Sequence, residues 1–144
     1  MQITNNFTLE ELTYSSTANI NKINNQPDKQ AEANLIRLAK DILQPIRDKY
    51  GLPITVNSGY RCSTLNKLVG GSKTSQHLTG QAADIRATKT TNSKLFNLIK
   101  DMIQSGEITV GQLIWEYGSK TEPNWIHVSL PYSKKNQILY YYSK

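Results

Sequence analysis

The sequence holds only two histidines, His77 and His127, and a carboxylate, Asp84, set inside the small apolar run QAADIRA. A carboxylate buried without a partner costs on the order of several kcal/mol, so a residue placed there needs compensation. A divalent cation would supply it. In WIHVSL the two-residue period of a strand puts Ile126, Val128 and Leu130 on one face and Trp125, His127 and Ser129 on the other. The same period in QAADIRA separates Ala83 and Ile85 from Asp84. If the Asp84 and His127 faces coincide, two ligands meet above one sheet, and His77, on a glycine-bounded loop ahead of the strand, provides a third. Two neutral imidazoles and one carboxylate suit a single Zn²⁺, and three protein ligands leave a fourth tetrahedral position to water, which marks a catalytic rather than a structural zinc site. Such an ion makes hydroxide available at neutral pH, which is hydrolytic chemistry. The competing reading makes each histidine an ordinary hydrogen-bonded polar residue, because the seven-residue step from His77 to Asp84 can bring the two together or hold them apart.

The elements that must position these residues follow from pattern. Thr8 and Glu11 in FTLEEL form a capping box that starts a short helix. Residues 15–28, rich in Asn and ending near Pro27, read as a surface loop with little regular structure. AEANLIRLAKDILQPIRDKYG is the main amphipathic helix: Leu35, Leu38, Ile42 and Ile46 share a face, Gly51 stops it, and Pro45 kinks it or begins a separate last turn. ITVNSGYR reads as a strand running into a turn at Ser58-Gly59, and STLNKLV as a short helix ended by Gly70-Gly71. QAADIRA is short enough for a central strand. TTNSKLFNLIKDMIQSG is a second amphipathic helix, capped by Thr91 or Asn92, with Leu95, Leu98, Ile99 and Met102 on one face. Three strand-like pieces close the chain, GQLIWEYG, NWIHVSL and NQILYYYS, the first two joined as a hairpin through residues 119–123. Early and central helices with late strands predict an α+β fold, helices packed against one central antiparallel sheet.

A length of 144 residues allows one domain with its own core, residues 1–144. The net charge of +6 favours anionic polymers, including a bacterial wall. Its lysines are dispersed and no arginine-rich or aromatic-interleaved patch stands out, so nucleic acid is not expected as a partner. Cys62 is the single cysteine, so no intramolecular disulfide is possible, and it reads as a small buried hydrophobe. The opening MQITNNFTLE lacks the basic and apolar regions of a signal peptide, and no run approaches the ~20 apolar residues of a membrane span.

The motifs SGYRC, LNKLVGGSKTSQHLTGQAADI and WIHVSL, in that order, resemble the zinc D-Ala-D-Ala carboxypeptidase family, in the wider group that includes lysostaphin-type wall-cleaving enzymes and the Hedgehog signalling domain. That family's pattern is approximately S-G-[YF]-R, then S-x-H-x-x-G-x-A-x-D, then W-x-H. FTLEELTYSSTA, LQPIRDKYG and QLIWEYG are similar as well, so the resemblance covers nearly the whole chain. It implies that His77, Asp84 and His127 bind zinc and that Arg61 polarises the scissile carbonyl or steadies the oxyanion, with a structural ion pair as the alternative. Ser75 matches a position that helps hold substrate in relatives, although a loop-capping hydroxyl accounts for it equally well, and Gln76 is a further substrate-binding candidate.

One departure matters. Many relatives carry Glu or His three residues before the last ligand, where this chain has Asn124, which accepts no proton at neutral pH. Glu116 is the expected general base, because a hairpin centred between Lys120 and Thr121 sets position 116 opposite Trp125, within one pleat of His127. Glu122, in the turn, is the runner-up. Trp115 and Trp125 are expected to wall the cleft and Tyr60 to line it.

The expected function is zinc-dependent hydrolysis of peptide bonds in bacterial peptidoglycan stem peptides, as a carboxypeptidase or an endopeptidase. The alternative is a catalytically inactive, zinc-stabilised binding or structural module, as the Hedgehog relationship implies. Compact relatives resemble phage or prophage enzymes, so a monomer made in the cytoplasm and acting at the wall after holin-type release, or as part of a virion, is expected.

Overall fold

The computed structural model describes residues 1–142, so Ser143 and Lys144, which end the expected last strand and the expected domain, lie outside the described residues. Helix α1 (Leu9–Thr13) starts at the expected capping box: Thr8 Oγ1 accepts from the Glu11 N–H at 3.1 Å, and the Glu11 carboxylate accepts from the Thr8 N–H at 3.3 Å. The Asn-rich segment is more ordered than expected. Ser15 caps a short helix, α2 (Ser16–Ile20), because its hydroxyl accepts from the Ala18 N–H. Beyond it, Asn25 ties the loop down: its amide donates to the carbonyls of Thr13 and Tyr60, and its oxygen accepts from the Cys62 N–H. Local composition could not reveal these bonds, since their partners lie up to 37 residues away.

The main helix runs as α3 (Lys29–Leu38), a π-helical turn (Ala39–Leu43) and α4 (Gln44–Tyr50). Pro45 has no N–H to return to the carbonyl of the preceding turn, and its ring would press on that carbonyl. The chain widens just before it, and the Gln44 N–H donates to the Ala39 carbonyl five residues back. Leu35, Leu38, Ile42 and Ile46 are all fully buried, as the spacing requires. Gly51 ends the helix at φ 78°.

Strand β1 (Ile54–Ser58) leads to α5 (Ser63–Leu68), a 3₁₀ turn (Gln76–Thr79), β2 (Ala82–Ala87) and α6 (Asn92–Gln104). Strands β3 (Gln112–Glu116), β4 (Trp125–Ser129) and β5 (Gln137–Tyr141) follow. The sheet order is β1-β2-β4-β3-β5. Helix α6 is capped by Thr91, and its buried face includes Phe96 and Ile103, whereas Leu98 is only half-buried. Cys62 is half-buried and packs against the core.

The fold is α+β, but the sheet is mixed, which corrects the antiparallel expectation. β1, β2, β4 and β3 pair antiparallel, and β5 runs parallel to β3. After β4 the chain passes the end of β3 and returns along the far edge of β3, so it runs opposite to β4 and with β3. Asn136, at φ 50°, pins this register: its N–H donates to the Val110 carbonyl at 2.6 Å and its side-chain oxygen accepts from the Val110 N–H at 2.9 Å. Strand β2 is interior but second from the edge; β4 is central.

One face of the sheet carries Ala83, Ile85, Ile126, Val128, Leu113 and Trp115 into the core. The opposite face carries the site. Trp115, expected in the cleft, falls on the core face, where its ring meets Phe96 edge-on with centroids 5.2 Å apart. The pleat decides this, because Ile114 and Glu116 on either side of it share the other face.

Candidate metal centre and cleft

Asp84 and His127 are paired residues in the β2–β4 ladder, so the faces that the alternation only allowed to coincide do coincide. Oδ1 of Asp84 lies 3.0 Å from His127 Nδ1, and Oδ2 lies 3.3 Å from His77 Nε2. One donor atom from each of the three side chains falls within 4.8 Å of the others. Ligands bound tetrahedrally at about 2.0–2.1 Å stand roughly 3.3 Å apart, so these separations and the donor set of two nitrogens and one carboxylate fit Zn²⁺. Both imidazoles are buried, and the Asp84 side chain is 14% exposed. Burial pushes the Asp84 carboxyl up, but the imidazoles beside it, His77 foremost, outweigh that and hold it well below the usual carboxylate range.

His77 reaches the centre from a loop, and three contacts make that loop rigid. The Ser75 hydroxyl accepts from the His77 N–H at 3.2 Å, the His77 carbonyl accepts from the Arg61 N–H at 3.0 Å, and His77 Nδ1 lies 2.6 Å from the Gly59 carbonyl oxygen. A carbonyl only accepts, so Nδ1 carries a proton, and with an ion bound between them Nε2 would offer its lone pair to the metal instead of a proton to Asp84. Gly59 itself packs against α1, where the Tyr60 N–H donates to the Leu12 carbonyl and a Cβ on Gly59 would overlap that oxygen.

The three side chains lie in the wall of a cleft of about 770 Å³ that also contains Arg61, Ser75, Gln76, Glu116 and Trp125. Glu116 pairs with Trp125 and Ile114 with His127, the register that the hairpin predicted. Glu116 therefore stands on the His127 face, one pleat along. Arg61 Nη2 donates to Ser75 Oγ at 3.3 Å, and among the described residues no carboxylate comes within ion-pair distance of its guanidinium. Burial draws the Arg61 pKa down while Asp84 and Glu116 oppose it, and guanidinium remains a cation in any case. Ser75 emerges as the loop-capping hydroxyl, serving both the His77 N–H and Arg61.

Other expectations are corrected. Tyr60 is buried in the core and borders a separate, smaller cavity, because the tight Gly59 turn aims it away from the cleft. Glu122 is engaged elsewhere: its two oxygens accept from the N–H groups of Asn92 and Ser93 at 3.1 and 2.7 Å, at the first turn of α6. Asn124 also turns to backbone pairing, its N–H donating to the Glu116 carbonyl and its own carbonyl accepting from Asn92 Nδ2.

Sequence reasoning missed Gln112, Ile114, Tyr117 and Lys134, which line the same cleft. Gln112 and Ile114 were within reach of the alternation that placed Glu116. Tyr117 was not, because it leaves the strand at φ 60° and sets its ring edge-on to Trp125, centroids 5.5 Å apart.

Residues 5–129 match the family described as Peptidase M15. A 46-residue stretch, 31% of the chain, is 50% identical to the zinc D-Ala-D-Ala carboxypeptidase of Streptomyces albus G; the match spans 18% of that protein's length.

Proposed function

The chain belongs to the Peptidase M15 family, and from that premise we propose that it hydrolyses peptide bonds in peptidoglycan stem peptides with one Zn²⁺ held by His77, Asp84 and His127. The observation that carries the reading is the meeting of these three side chains on one cleft whose walls hold an acid, Glu116, and a cation, Arg61. When bound, the ion supplies a Lewis acid that polarises the scissile carbonyl and activates water. Glu116 accepts the proton of the attacking water and delivers it to the leaving amine nitrogen. Arg61 presents fixed N–H donors to the oxyanion, its orientation held by Ser75. Trp125 and Tyr117 form an aromatic wall against which the peptide lies.

The similarity to a D-Ala-D-Ala carboxypeptidase and the positive charge of the chain support a wall peptide as substrate. Action at the wall after holin-type release or from a virion, as a monomer and a single domain, belongs to the same proposal. Among the described residues no helix is long and apolar enough to cross a membrane. The test is incubation with purified peptidoglycan, with and without a chelator, followed by mass analysis of the soluble fragments. Release of free alanine alone identifies a carboxypeptidase, and separation of linked muropeptides identifies an endopeptidase. An intact wall under every zinc condition overturns the reading.

A further inference from the structure

The two imidazoles are arranged alike. Each turns one nitrogen toward Asp84 and the other toward a neutral oxygen: His77 Nδ1 toward the Gly59 carbonyl at 2.6 Å, His127 Nε2 toward Gln76 Oε1 at 3.0 Å. With a cation bound beside Asp84, the nitrogen that faces the neutral oxygen carries the proton, which leaves the nitrogen on the Asp84 side with its lone pair for the cation. For His77 a backbone carbonyl does this. For His127 the task falls to one amide, 51 residues away in sequence.

We propose that Gln76 is a positioning residue of the metal centre: its side-chain oxygen holds the Nε2–H of His127 and thereby commits Nδ1 to the cation. This rests on the zinc site proposed above, and it replaces the substrate contact expected of Gln76. The backbone beneath Gln76 is built for the purpose. Its carbonyl accepts from the Gln81 N–H at 3.0 Å, Ser75 caps the turn, and Gly80 closes it at φ 74° where a Cβ would overlap the Ala31 carbonyl. One short turn therefore delivers a ligand, His77, and the partner that orients the second histidine.

Gln76→Met keeps the length of the side chain and removes the acceptor; Gln76→Glu keeps an oxygen in its place. Zinc affinity measured by chelator competition is expected to fall about 10- to 100-fold in Gln76→Met and to stay near wild type in Gln76→Glu. In the zinc-loaded wild type, NMR is expected to show a slowly exchanging imidazole N–H on Nε2 of His127, lost in Gln76→Met and kept in Gln76→Glu. Unchanged zinc affinity in Gln76→Met with only a raised KM would make Gln76 a substrate contact and overturn the proposal. A zinc-loaded wild type whose His127 shows no Nε2–H would overturn it without recourse to any variant. Failure of the wild type to take up zinc would remove the metal centre itself, a different result from either.

Discussion

Asp84 and His127 face each other across the β2–β4 ladder with Oδ1 3.0 Å from Nδ1, so two of the three donors are set by strand pairing rather than by a loop. Asp84 is also the group that balances the site, since each of its oxygens meets a different imidazole. Asp84→Asn is therefore expected to abolish zinc-linked stabilisation. For the wild type, zinc at about 100 times its Kd adds about 2.7 kcal/mol, a Tm rise of roughly 5–10 °C for a chain of this size. Thermal melts with zinc and with a chelator check this, and a Tm of Asp84→Asn that still climbs with zinc would contradict it.

Glu116 lies on the cleft face of β3, opposite Trp125, and has no part in the donor set. Glu116→Gln should keep fold and zinc affinity while lowering kcat by about 10²- to 10⁴-fold, the range that a positioned general base contributes. Chelator competition and turnover on the same preparation separate the two effects. Turnover at the wild-type rate would take Glu116 out of the mechanism.

Glu122 spans the N–H groups of Asn92 and Ser93, so its carboxylate completes the start of α6. Charge-assisted capping of this kind is worth about 1–2 kcal/mol. Glu122→Ala is expected to lower Tm by a few degrees and leave kcat/KM at the wild-type value. A loss of activity without a loss of stability would return Glu122 to the list of bases.

Gly59 leaves no room for a Cβ against the Leu12 carbonyl, and its own carbonyl holds His77 Nδ1. In Gly59→Ala the corner after β1 must move away from α1, carrying the acceptor with it. Both stability and zinc affinity should fall, the first by about 2 kcal/mol or more, in line with overpacking at a rigid backbone contact. Denaturant unfolding and zinc titration report the two losses; a variant that loses stability but binds zinc as tightly as wild type would uncouple Gly59 from the site.

The residues of the candidate site were legible because rarity and alternation are local properties. Two histidines, one acid in an apolar run and a period of two sufficed to nominate His77, Asp84 and His127, and hairpin arithmetic placed Glu116 opposite Trp125. Capping at Thr8 and the buried stripe from Leu35 to Ile46 were readable for the same reason, since helix geometry relates residues three and four apart. Long-range partners decided the rest. The direction of β5 depends on Asn136 meeting Val110, the order of residues 21–28 on Asn25 reaching Cys62, and the fate of Glu122 on the position of α6. The role of Gln76 depends on a histidine 51 residues away. Periodicity assigns a side chain to a face, whereas what it meets on that face is fixed by how separate elements pack, and a single sequence carries no local trace of that.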